Sequence, residues 1–243
     1  DHLGRDVFTR VLYGIQLSLF VGGCVTLLAG VIGLVIGLLA AYHSVLDHIF
    51  MRICDGLYAF PSILLAISIV AIMGPHLGNV ILALTIVYIP SIARIVRSAA
   101  FVVQEKTFIE GLRASGASAF RIIGLHIIPN ILSPLIVQAS YVFAVSILTE
   151  ASLSFLGAGI PAPSPSLGNL LLDGKNVIFK AWWMTVFPGI FIILLILGLN
   201  LLGDGLRDVL NPDTGTVRRL KKKKNRSRQR RATAIESDAL AGN

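Results

Sequence analysis

An all-α integral membrane protein is the fold class this sequence predicts, and three observations predict it: composition, continuous apolar runs and one-sided basic charge. Of 243 residues, 55% are hydrophobic and 14% are charged, against roughly 25% charged in an average soluble domain. A helical crossing of a bilayer takes about 20 apolar residues. Five uncharged runs approach or exceed that length: 17–42, 56–75, 77–93, 131–149 and 181–203. They are continuous rather than alternating, which argues against a transmembrane barrel.

The first run carries Gly22, Gly23, Gly30, Gly33 and Gly37, small residues that let helix backbones approach closely. Packing, rather than substrate contact, is their expected role. The second and third runs meet at Gly74, Pro75 and His76, which predicts a tight hairpin between two helices. Trp182 and Trp183 open the last run, where aromatic rings anchor helices at the interface.

Lys and Arg concentrate in cytoplasmic loops. Seventeen of the 21 here lie in 41–55, in 94–130 or after 204, whereas Arg5, Arg10, Lys175 and Lys180 fall on the other side. The C-terminus is therefore expected in the cytoplasm and, after five crossings, Asp1 outside. Because the chain starts with Asp and shows no signal peptide, a first membrane helix is expected to be missing, leaving five of six.

Segment 94–130 is longer than a connection requires. Thr107 and Glu110 have capping-box spacing, which predicts a helix beginning at Phe108 with Phe108 and Leu112 on one apolar face. Gly116 is placed to end it in the left-handed conformation. After Ala117, Ser118 can cap a second helix with Phe120, Ile123 and Ile127 on one face, which Pro129 stops. The outcome is a two-helix elbow offering Arg113 and Arg121 at its surface.

Other candidate residues carry less. Glu150, near the far end of the fourth run, is expected close to the outer interface, in a structural or pathway role. Cys24 lies in an apolar run and Cys54 in a cytoplasmic loop, which gives neither a redox role. His2, His43, His48, His76 and His126 lack metal-ligand spacing, and His43, Asp47 and His48 read as a solvated loop. No catalytic set converges. A phosphate-binding G-x-x-x-x-G-K-[ST] loop is missing, since Gly168 to Asn176 has the wrong spacing and ends in Asn. The tail holds RRLKKKKNRSRQRR at 218–231, expected to be disordered and drawn to anionic lipid, with nucleic acid disfavoured.

Residues 110–116 (EGLRASG), followed by Pro129, resemble the EAA loop of ABC-importer permeases. The two alanines expected after Glu are Gly111 and Leu112 here, and His126 and Ile128 also depart from the general motif. Four further segments are similar to the C-type subunit of the dipeptide, oligopeptide and nickel branch: 1–10 (DHLGRDVFTR), 55–61 (DGLYAFP, opening a membrane helix), 149–157 (TEASLSFLG) with 161–166 (PAPSPS), and 200–208 (NLLGDGLRD).

That resemblance implies a type I ABC-importer transmembrane domain over 17–212, with a coupling loop at 94–130, an extracytoplasmic segment at 1–16 and a basic tail at 213–243. It implies a multi-pass protein of the bacterial inner membrane working by alternating access. Its partners would be a second homologous permease, two cytoplasmic ATPases that hold the ATP and Mg, an extracytoplasmic substrate-binding protein and lipid. No cofactor is expected in this chain. Thr107, Phe108, Glu110, Leu112, Arg113, Gly116, Ala117, Ser118, Arg121 and Pro129 would form the ATPase contact region. The cargo would be a di- or oligopeptide, with nickel or another small solute as the alternative. On hydropathy alone, a secondary transporter or channel stays open.

Overall fold

A computed structural model describes residues 4–161 and 163–210; residues 1–3, Ala162 and 211–243, which include the basic tail, lie outside the described residues. Helix α1 (Val7–Tyr42) begins where the Asp6 carboxylate accepts the Thr9 backbone N–H at 2.8 Å and the Thr9 hydroxyl. At 1.5 Å per residue its 36 residues run about 54 Å, longer than a bilayer core of about 30 Å. His43, in extended conformation, separates it from α2 (Ser44–Tyr58).

Three expectations about the middle of the chain need correction. Residues 56–75 do not form one helix, because 55–58 close α2 and 59–61 break the chain before α3 (Ser62–Met73). Pro61 has no N–H for a continuing helix, and the two helices bend by 94°. The expected hairpin at Gly74 is present: this glycine has φ +88°, and Asn79 Nδ2 donates to the Met73 and Gly74 carbonyls at 2.8 and 3.0 Å. Beyond it, α4 (Leu77–Gln104) continues well past the apolar run, carrying Arg94 and Arg97 on a helix rather than a loop. Their partners come from α2: Arg94 reaches Asp55 at 2.6 Å, and Arg97 pairs with Asp47 through two nitrogens. Asp47 and His48 likewise lie on α2 rather than in a loop, while His43 is the exposed non-helical residue between α1 and α2.

The remaining elements are α5 (Thr107–Ala114), α6 (Ala119–Ile122), a π turn (Ile123–Ile127), α7 (Ile128–Phe155), α8 (Leu167–Asn176) and α9 (Trp183–Leu210). Among the described residues, four helical stretches are long and apolar enough to cross a membrane, and the bent α2–α3 pair makes a fifth if it counts as one span.

The core forms where α1 lies against α4 and α7. A Cβ on Gly33 would sit 2.8 Å from the Ile92 side chain, and one on Gly37 would sit 2.6 Å from the Ala93 carbonyl oxygen. Both positions therefore need glycine for close approach. Gly30, unlike Gly33 and Gly37, faces open space. Val25, Leu84, Ile92 and Val96 are buried at this junction, while α9 leaves Ile193, Leu197 and Leu201 exposed in a lipid-like pattern.

Candidate functional sites at the two ends of α7

The elbow joins α4 to α7 and is built differently at each of its turns. Helix α5 starts at Thr107 itself, with Lys106 in the capping position and no side-chain cap. The expected Thr107–Glu110 capping box is not formed, and both residues are exposed. Glu110 still lies in the first helical turn, where a carboxylate favours the positive end of the helix dipole.

The glycine stop is as expected. Gly116 has φ +81°, Ala117 N–H donates to the Leu112 carbonyl at 3.0 Å, and Gly116 N–H donates to that of Arg113 at 3.0 Å. This paired closure is the Schellman motif, with Leu112 and Ala117 in its flanking apolar positions. Ser118 occupies the next capping position, but its side chain makes no cap hydrogen bond.

Pro129 does not stop the second helix, contrary to expectation. Residues 119–155 form one continuous helical stretch. Proline is tolerated in the first turn of α7 because the preceding π turn rearranges the hydrogen bonds, with Ile128 N–H reaching back to the Ile123 carbonyl. Asn130 Nδ2 then satisfies the His126 carbonyl at 2.7 Å.

Burial corrects the expected faces as well. Phe108 is 45% exposed and meets His126 edge to face, whereas its neighbour Ile109 is fully buried. Ile122 and Ile127 anchor the second half, while Phe120 is 90% exposed. Ile109, Ile122 and Ile127 join the same core as α1 and α4. Arg113 donates to Gln104 Oε1 at 3.3 Å, and Gln104 donates to the Ala41 carbonyl at 3.2 Å. The elbow is thereby tied to the ends of two long helices while Phe120, Arg121, Ser118 and Glu110 face outward. Ile109 and Ile122 were the anchors the sequence pattern did not single out, and Phe120, expected on the apolar face with Ile127, points outward instead.

At the other end of α7 the arrangement is inverted. Glu150 has no exposed surface. One carboxylate oxygen accepts from Ser18 of α1 at 3.0 Å, and the other accepts from Ser154 at 2.9 Å. Ser166, which caps α8 through the Asn169 N–H, also hydrogen-bonds to the carboxylate. Ser154 further accepts the Ile160 N–H. A Cβ on Gly168 would come within 2.1 Å of the Ala151 carbonyl oxygen, so α8 is clamped against α7 beside this knot.

Long apolar helices, an elbow packed on their core and an internally satisfied polar knot define a multi-pass helical membrane protein. Residues 33–216 match the family described as binding-protein-dependent transport system inner membrane component, and the chain belongs to that family. It is 51% identical over 212 residues to a Brucella suis biovar 1 protein named as a peptide transport system permease, covering 87% of this chain and 72% of that one. A dipeptide transport system permease of Alkalihalophilus pseudofirmus is 47% identical, with 87% and 70% covered. A glutathione transport system permease of Pectobacterium atrosepticum is 46% identical, with 87% and 71% covered. Among solved structures, a chain of the MetNI methionine ABC transporter in an inward-facing conformation superposes with a TM-score of 0.73 at 20% identity, covering 84% of this chain and 97% of that one. That likeness bears out the type I ABC-importer transmembrane fold.

Proposed function

We propose that this chain is one of two permease subunits of an ATP-driven, binding-protein-dependent importer of di- or oligopeptides in a bacterial inner membrane. The carrying observation is the elbow at 107–127, fastened inside by Ile109, Ile122 and Ile127 but exposing Phe120 and Arg121. A connector has no use for a rigidly mounted aromatic ring in solvent; a docking element does, because buried aromatic and Arg anchors dominate interface energies. The peptide cargo is supported by the names of the relatives at 46–51% identity.

In this reading the elbow faces the cytoplasm and seats in a partner ATPase, which supplies ATP, Mg and all bond-breaking chemistry. The C-terminus lies on the same side, and the α8 segment faces outward towards a substrate-binding protein. A second permease completes the path. Co-purification of the ATPases with wild-type and Phe120→Ala chains, together with ATP-dependent peptide uptake into vesicles, tests it. Uptake that needs no ATPase would replace the importer with a secondary transporter.

A further inference from the structure

The α2–α3 break creates a feature that the elbow does not explain. A cavity of about 230 Å³ opens there, lined by Tyr58, Ser62, Tyr88, Ser91 and Tyr141 among apolar neighbours. Tyr141 lies midway along α7, and Tyr88 and Ser91 lie in the second half of the apolar run of α4, so the interrupted backbone faces the apolar, membrane-spanning parts of both helices. Pro61 offers no side-chain cap to the first N–H groups of α3. Irregular backbone within a membrane is tolerated only where protein buries it or water reaches it. Tyr58, Phe60 and Tyr141 are about half exposed or more, so this chain by itself does not bury it.

The polar groups divide into two sets. Tyr88 is locked, its hydroxyl 2.7 Å from Thr149 Oγ1, and Ser91 donates to the Tyr88 carbonyl at 2.8 Å. Among the described residues, the hydroxyls of Tyr58, Ser62 and Tyr141 have no hydrogen-bond partner. Free hydroxyls facing hydrocarbon are costly, so this face fronts a polar lumen. No lining residue is charged. Arg94, which is not a lining residue, stacks on Tyr58 with its guanidinium 4.3 Å from the ring centre, and its charge is paired with Asp55.

From this juxtaposition we infer that the cavity is a transit site on the translocation path, where the free hydroxyls of Tyr58, Ser62 and Tyr141 hydrogen-bond the amide groups of a passing peptide. It rests on the peptide-importer reading. Neutral donor–acceptor groups suit an amide backbone of any side-chain composition, and the absence of a fixed charge keeps binding weak enough for release.

Two measurements on the intact complex in nanodiscs test the inference, in a background carrying Cys24→Ala and Cys54→Ala. Ser62→Cys should be fully modified by a charged, membrane-impermeant thiosulfonate in at least one nucleotide state, whereas Leu197→Cys, midway along α9, stays unmodified. No modification of Ser62→Cys in any state, or equal modification of both, overturns the lumen. In proteoliposomes supplied with tritiated dialanine, Tyr141→Phe should raise KM about fivefold through loss of one neutral hydrogen bond, with maximal uptake retained. An unchanged KM overturns amide recognition. If the wild type shows no ATP-driven dialanine uptake, the dipeptide-importer reading fails, and the labelling result still decides whether the cavity meets water.

Discussion

The two ends of α7 use one backbone device for opposite purposes. Each adjoins a left-handed glycine closure, Gly116 at the elbow and Gly157 after Phe155, where Ala158 N–H reaches the Leu153 carbonyl at 2.9 Å. Around Gly157 the polar groups close on one another: Glu150 is satisfied by hydroxyls from α1, α7 and the start of α8. Around Gly116 the chain anchors its isoleucines and leaves Phe120 and Arg121 unspent. A carboxylate supplied with every partner by its own chain acts as a structural lock. An aromatic ring held out by a rigid frame points to a second protein.

The largest expected effect tests the lock. Glu150→Leu strands the hydroxyls of Ser18, Ser154 and Ser166, at about 1–3 kcal/mol for each buried group left unsatisfied. The purified complex should therefore melt well below wild type, and Glu150→Gln, which keeps an acceptor, should recover much of the loss. Equal melting of wild type and Glu150→Leu would show that the knot holds nothing.

Phe120→Ala should do the reverse. The melting temperature should stay near wild type because little is buried, while affinity for the partner ATPase falls by about 2 kcal/mol if Phe120 is an interface anchor. A thermal-shift assay paired with binding by interferometry separates these outcomes, and unchanged affinity would remove Phe120 from the interface.

Gly116→Val tests orientation rather than contact. A Cβ there meets nothing within 4 Å, so its cost is the left-handed backbone alone, about 1–2 kcal/mol. ATPase coupling should weaken with normal membrane insertion, and Gly116→Asn should be milder. Indistinguishable Asn and Val variants would contradict a backbone cause.

The smallest effect concerns the start of α1. Hydrogen bonds from the Thr9 hydroxyl and backbone N–H hold the Asp6 carboxyl below its ordinary 3.8. Its stabilisation is thus fully present above 3.8 and is lost as pH falls through the depressed value. The Thr9 amide resonance should titrate with a midpoint below 3.8; a midpoint at or above it would mean that the cap is not formed.

What the sequence showed of these sites follows from the range of each interaction. Gly116 was readable because a left-handed stop is a local requirement that glycine meets best. The helical extension through Arg94 and Arg97 was not, because their partners Asp55 and Asp47 sit on α2, and isolated charges look like a loop. Periodicity could not phase an eight-residue helix well enough to choose Ile109 over Phe108 as the anchor. Glu150 stood out as a carboxylate in an apolar setting, but its burial depends on serines that meet only in three dimensions. Pro129 carried a sound local signal, which the neighbouring π turn overrode.

The unbroken run from Ala119 to Phe155 has a mechanical meaning. Its 37 residues make a rod about 55 Å long, with the elbow as its handle and the Glu150 knot near its far end. Had Pro129 ended the helix, the handle would have turned on a joint and its motion would have been lost there. Continuous helix instead joins the handle to the knot beside α8, by way of the π turn at 123–127 and Pro134.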